Sequence, residues 1–318
     1  MSSAAKARSF LQLAGAILSG MAFALLALSS CSTTHTDGPA PLKATSVATL
    51  VSSATGGGIP SATATGTATP LPACSQTAGE VERIEFTDPL MTAFEIPVNV
   101  YLPPCYRVSE NRYPVVYLLH GYPQDQGHWL ELGLQKVLDE RIASGAWPAV
   151  IAVMPQQPEP YFTHTDGGPG SLEQVILDGL VPFIDANFQT RAEAGARAIA
   201  GISRGGVWAL EIGLRHPDVF QGIAALSPAL SVNHPRPPYD PGLIASRAEE
   251  LPVRIWLSVG DSEPSFQVGI DRFAEILDRK GIEHVYLHST GHHEDSAWRP
   301  LIEPLFEFLL APWRVDGA

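Results

Sequence analysis

The chain has 318 residues, 45% of them apolar and 17% charged, and a formal net charge of −13. That length and apolar content suffice for one large domain with a substantial core. An acidic chain with no Lys/Arg-rich run lacks the clustered cations that displace counterions from a phosphate backbone, which excludes nucleic acid as a partner.

Lys6 and Arg8 precede an apolar run over residues 10–28, and Ser29, Ser30 and Cys31 follow it. A basic start, an apolar stretch and small residues before a cut site describe an export signal over residues 1–30. The Leu-Ser-Ser-Cys tail resembles a bacterial lipoprotein signal, in which Cys31 is lipidated. The alternative is an uncleaved anchor, because about 19 apolar residues can span a bilayer. Either reading places the rest of the chain outside the cytoplasm, held at a bacterial cell surface or in the periplasm. Residues 31–73 are mostly Ser, Thr, Ala, Gly and Pro. Such a stretch buries too little surface to offset its ordering entropy, and it reads as a flexible tether spanning roughly 35 Å. If Cys31 carries lipid, Cys74 and Cys105 remain as a pair. In an oxidising compartment the pair suggests a disulfide, against the alternative of two free buried thiols. No Cys-x-x-Cys occurs, which argues against a thiolate metal site.

Residues 74–318 read as one domain. Strands are expected at 81–87 and 93–102, as an opening antiparallel pair. Residues 113–119 form a strand with little polar interruption, as expected where both faces are buried. Then come a helix at 130–144, a strand at 149–154, a helix at 172–188 and a strand at 196–200. A helix at 205–215, strands at 222–226 and 253–259, a helix at 266–280, a strand at 284–288 and a helix at 300–310 complete the pattern. Alternation of this kind gives a mostly parallel sheet covered on both faces. Ligands then sit beyond the carboxyl ends of the strands, where loops 156–171 and 231–250 are expected to shape the binding site.

The chemistry-bearing residues fall at those strand ends. Gly201-Ile202-Ser203-Arg204-Gly205 lies between a strand and a helix. It is the G-x-S-x-G elbow, in which a strained turn presents a nucleophilic serine at a helix N-terminus. His120-Gly121-Tyr122 follows an early strand. Acyl transfer needs two donors aimed at the developing oxyanion, and the backbone N–H groups of Tyr122 and Arg204 are assigned that role. His120 itself reads as structural. Serine needs a base, and His292 and His293 both stand in the loop after the last strand. A carboxylate must orient that base, and Asp261 and Glu263 both follow strand 253–259. Tyr161, Phe162, Trp208 and Trp298 are candidates for an aromatic wall, although core or rim placement suits each of them better.

With these residues in view, the chain resembles the esterase D-like α/β hydrolases, which include feruloyl and acetylxylan esterases, enterochelin esterases, S-formylglutathione hydrolases and mycolyltransferases. The matching stretches are VYLPPCY (100–106), YPVVYLLHGY (113–122), AIAGISRGG (198–206), HPDVFQGIAALSPAL (216–230) and GHHEDSAWRP (291–300). The resemblance implies an α/β-hydrolase fold with a central sheet of about eight strands. It also implies a serine esterase that needs no metal or organic cofactor. The family's Gly-Gly-His-x-x-x-x-Trp stretch points to His293 as the base, and its Gly-x-x-acid arrangement points from Gly260 to Glu263 over Asp261. Arg204 replaces the apolar residue common after the serine, His292 replaces a glycine, and Cys105 stands where many members have glycine. The expected substrate is a small or polysaccharide-linked ester. The alternatives are acyl transfer by the same machinery, or a non-catalytic surface-binding lipoprotein.

Overall fold

The computed structural model describes residues 74–88, 95–159 and 163–314. The signal at 1–30, Cys31, the tether at 31–73, and Tyr161 and Phe162 lie outside the described residues.

Among the described residues, eight strands form one sheet: β1 (Glu80–Thr87), β2 (Glu95–Leu102), β3 (Val115–Leu119), β4 (Ile151–Pro155), β5 (Arg197–Ile202), β6 (Gly222–Leu226), β7 (Arg254–Gly260) and β8 (His284–Ser289). Their order is β1-β2-β4-β3-β5-β6-β7-β8. β1 and β2 pair antiparallel, as do β2 and β4, and the remaining pairs are parallel. Pro114 supplies no N–H, so β3 starts only at Val115, and Tyr113 makes an isolated bridge to Thr190.

The helices are α1 (His128–Glu131), α2 (Leu134–Ala143), α3 (Leu172–Gln174), α4 (Val181–Asn187), α5 (Arg204–Arg215), α6 (Pro241–Arg247), α7 (Pro264–Lys280), α8 (Asp295–Trp298) and α9 (Ile302–Leu310). Three differ from the sequence reading. The expected helix 130–144 is broken at Gly133, whose φ of 94° is left-handed, so α1 and α2 are separate. The stretch 172–188 is helical, but residues Val175–Leu180 between α3 and α4 form a π-helix. Pro182 lacks the N–H that a regular turn would direct at Asp178. Within loop 231–250 the chain forms α6, started by the Asp240 side chain, which accepts from Leu243 N at 2.8 Å, and by Pro241 at the first position.

Alternating strand residues face two cores. Val115, Tyr117, Leu119, Ile199, Ile223 and Leu257 pack under α4, α5 and α7. Val116, Leu118, Ala198, Ala200, Leu226 and Trp256 pack against α2 and α9 on the other face. All five residues of β3, β4 and β6 are buried, as two-sided cover requires. Cys74 and Cys105 form a disulfide with a Cα–Cα distance of 5.8 Å. The two are 31 residues apart in sequence, and closing a loop of that length limits the unfolded chain and stabilises by about 3.5 kcal/mol.

A buried pair of carboxyls lies under the segment after β4. Glu173 and Glu211 are 2% and 0% exposed. A Cβ added at Gly167 would meet Glu173 Oε2 at 2.1 Å and Glu211 Oε1 at 2.2 Å, so a side chain there would displace one of the two carboxyls. Burial pushes Glu173 up, but bonds from His216 Nε2 at 2.6 Å, Arg215 Nε at 2.8 Å and the Gly168 N–H outweigh it and hold the group at about 2. Glu211 is countered only by the Arg215 charge and the Gly167 N–H. Burial, and then the charge of Glu173, push it up to about 9. Glu211 is therefore protonated in the fold at neutral pH and ionised in the unfolded chain. Its contribution is fully present below the unfolded value of 4.5 and is lost as pH rises toward 9. Glu211→Gln removes this titration. Its expected effect is a higher unfolding free energy at pH 7, on the order of 3 kcal/mol, with the gain vanishing toward acid pH, as read by denaturant titration at several pH values.

Candidate active site

Ser203 stands between β5 and α5 with φ 55° and ψ −115°, a strained conformation for a residue with a Cβ. Its backbone is fixed on both sides: its N–H donates to Leu226 O at 2.8 Å, and its carbonyl accepts from Ala229 N at 3.0 Å. A Cβ on Gly201 would lie 2.1 Å from Gly205 O, and one on Gly205 would lie 2.3 Å from His120 O. Both glycines are steric requirements of the turn.

His293 is carried by the loop between β8 and α8. Its Nε2 lies 2.8 Å from Ser203 Oγ, and its Nδ1 lies 2.5 Å from Glu263 Oε1. The ring is held on two sides. Phe266 stacks on it with centroids 4.0 Å apart at 14°, and Trp298 meets it edge-on at 4.8 Å and 87°. Trp298 in turn contacts the buried His128 edge-on, and His128 Nε2 lies 2.9 Å from Asp295 Oδ1.

Glu263 ends the turn after β7 and is 3% exposed. Its Oε2 accepts from Ser227 Oγ at 2.7 Å and from Gly260 N at 2.5 Å. Ser227 Oγ itself accepts from Trp298 Nε1 at 3.1 Å. Burial pushes the Glu263 carboxyl up, but the bonds from His293, Ser227 and Gly260 together outweigh it and hold the group below the usual glutamate range. Glu263 is thus an anion placed where an imidazolium would need one.

The other sequence candidates are placed elsewhere. Asp261 is exposed, and its Oδ1 accepts from Gly291 N and Ser262 Oγ, each at 3.0 Å; these bonds hold it below the usual aspartate range. It ties the His293 loop to β7 rather than touching the imidazole. His292 is exposed. His120 is buried, which pulls its pKa down to about 4. Its Nε2 accepts from Gln157 N at 3.0 Å, which assigns the ring proton to Nδ1, 2.8 Å from Gly121 O. It locks the β3 loop to the segment after β4. That loop passes close to the serine: a Cβ on Gly121 would lie 3.5 Å from Ser203 Cβ. Tyr122 is 60% exposed, and the Arg204 guanidinium lies 5.7 Å from its ring centre. Trp208 is fully buried in the core. Among the described residues, no group of three or more His, Cys, Asp or Glu could hold a metal ion.

Two contributors escaped the sequence reading. Phe266 was legible only as a helix residue. Ser227, with φ 42°, follows β6 as Ser203 follows β5, and its position after a strand was the available signal.

Eight strands in this order, with a serine elbow after β5 and a histidine loop after β8, define an α/β-hydrolase fold. The chain belongs to the esterase family whose model, described as putative esterase, matches residues 91–308. It is similar to an endo-1,4-beta-xylanase/feruloyl esterase of Xylanibacter ruminicola, 31% identical over 249 residues, which are 73% of this chain and 31% of that protein. A Mycobacterium tuberculosis esterase is 35% identical over 133 residues, 41% of this chain and 28% of that protein. The chain thus spans about a third of the length of these relatives. A ferulic acid esterase structure superposes with a TM-score of 0.66 at 22% identity, covering 74% of this chain and 99% of its own. An S-formylglutathione hydrolase of Staphylococcus aureus gives 0.63 at 16%, covering 73% and 99%. These last two show a shared fold.

Ser227→Ala removes one donor to the Glu263 carboxylate and strips Trp298 Nε1 of its acceptor. The expected result is a fall in kcat for ester hydrolysis of about tenfold with KM little changed. Steady-state kinetics check the effect, and a change in KM alone would contradict the positioning role.

Proposed function

We propose that the chain is a serine carboxylic-ester hydrolase in which Ser203, His293 and Glu263 act as nucleophile, base and orienting acid. The observation that carries this reading is His293, which bridges Ser203 Oγ at 2.8 Å and Glu263 Oε1 at 2.5 Å. Family membership and feruloyl esterase relatives support the same class of reaction.

His293 Nε2 takes the Ser203 proton as Oγ attacks the ester carbonyl. The negative charge on the carbonyl oxygen is met by the backbone N–H groups of Tyr122 and Arg204, with the α5 dipole behind them. Glu263 stabilises the imidazolium and fixes its tautomer without itself taking the proton. His293 then protonates the leaving alcohol. Water, deprotonated by the same ring, attacks the acyl-enzyme and releases the acid and Ser203.

We also propose that residues 74–318 are the catalytic domain of an exported lipoprotein, attached through Cys31 and tether 31–73 after loss of residues 1–30. The disulfide between the other two cysteines supports an oxidising compartment.

Hydrolysis of p-nitrophenyl acetate and butyrate by the wild type and by Ser203→Ala tests the central reading. The expected loss in the variant is at least about 1,000-fold. Retained activity in Ser203→Ala would overturn it.

A further inference from the structure

His128 is 0% exposed and stands on α1, the short helix that follows the loop after β3. Tight turns lead from that loop to α1: Gln124 N donates to Gly121 O and His128 N to Asp125 O, each at 3.1 Å. Trp129 Nε1 donates to Leu119 O at 3.2 Å and anchors α1 to the end of β3. Asp295 is the first residue of α8 and follows closely on His293. The 2.9 Å contact between His128 Nε2 and Asp295 Oδ1 therefore joins the β3 loop to the loop that carries the base.

This pair is a poor choice for packing alone. A carboxylate oxygen only accepts, so the His128 ring donates from Nε2. Its Nδ1 is buried without a hydrogen-bond partner. An orphaned ring nitrogen forfeits its hydration, a cost that a phenylalanine ring of similar shape avoids. What phenylalanine lacks is the Nε2–H, and that group goes to Asp295, whose side chain is 43% exposed. The same imidazole meets Trp298 edge-on at 5.9 Å and 81°. One ring on α1 thus contacts both the first and the last residue of α8. Trp298 then meets the His293 ring at 4.8 Å. Arg299 Nη1 donates to Glu131 O at 2.9 Å, a second tie that keeps α1 attached to this region when the pair is cut.

We propose that His128 and Asp295 are positioning residues for the Ser203 reaction, their bond fixing α8 so that Trp298 holds the His293 ring within proton-transfer distance of the serine. The proposal rests on the esterase reading above and adds two residues that touch no reacting atom. Small displacements of a base cost rate rather than ground-state binding, so the pair acts on kcat.

Hydrolysis of p-nitrophenyl acetate and denaturant unfolding are measured on the full chain and on four variants. His128→Phe keeps a ring against Trp298 and removes the donor. Its expected kcat is about tenfold lower, with KM within about twofold of wild type and an unfolding midpoint that does not fall, because the orphaned nitrogen is gone. Asp295→Ala gives the same fall in kcat. The double variant is no slower than the worse single one, since both changes cut one bond. His128→Gln, which can still donate to Asp295, recovers most of the rate. Should His128→Phe fail to fold, Asp295→Ala at its half-exposed position decides. A kcat within about threefold of wild type in either single variant would overturn the proposal. Losses that multiply in the double variant would do so too, as would a kcat that falls only in step with the unfolding midpoint. Normal wild-type turnover beside such variants overturns this inference alone. A wild type that neither turns over the ester nor takes up a fluorophosphonate overturns the esterase reading with it.

Discussion

The site is organised around one buried anion. Taking a carboxylate out of water costs several kcal/mol unless donors replace the lost hydration. Glu263 is 3% exposed and receives those donors from three separate parts of the fold. Gly260 N comes from its own turn, Ser227 Oγ from the end of β6, and His293 Nδ1 from the loop after β8. Each donor is useful only if its strand ends at the right level. The parallel register β5-β6-β7-β8 sets that level, pairing Ile202 with Leu226, Leu226 with Ser258 and Gly260 with Ser289. The carboxylate therefore converts sheet register into side-chain geometry at Ser203.

The same logic explains the aromatic and polar packing behind the imidazole. A ring held between Phe266 and Trp298 keeps few orientations, so its two nitrogens face Ser203 and Glu263 at little further entropic cost. Trp298 also hydrogen-bonds Ser227, so one indole positions both the His293 ring and a donor to Glu263. Strain is concentrated nearby. Ser203 and Ser227 are non-glycine residues at positive φ, and both follow strands of the central sheet. Neighbouring hydrogen bonds over-determine each of them, as a pre-organised site requires.

Much of this was legible in the sequence, for physical reasons that differ by residue. The unbroken apolar run of 113–119 and the alternation of strands with helices announced a sheet covered on both faces. The elbow was legible because Gly201 and Gly205 have no substitutes at contacts of 2.1 and 2.3 Å. The break at Gly133 was not, since the apolar pattern of Trp129, Leu130, Leu132 and Leu134 continues through it and only the left-handed φ interrupts the helix. Asp261 and Glu263 were both open on position after β7. Their side chains diverge because one is exposed on the turn and the other is directed inward, a distinction set by tertiary contacts with Ser227 and His293. Ser227 carried only the signal of its position after a strand, because its contact with Glu263 exists only when β6 and β7 lie side by side.

The most direct test is the rate at which a fluorophosphonate labels Ser203 in Glu263→Gln and Asp261→Asn, measured beside the wild type. If Glu263 holds the base, labelling of Glu263→Gln is slower by about 1,000-fold or more, while Asp261→Asn stays within about threefold of wild type. Slow labelling of Asp261→Asn together with near-normal labelling of Glu263→Gln would contradict the account.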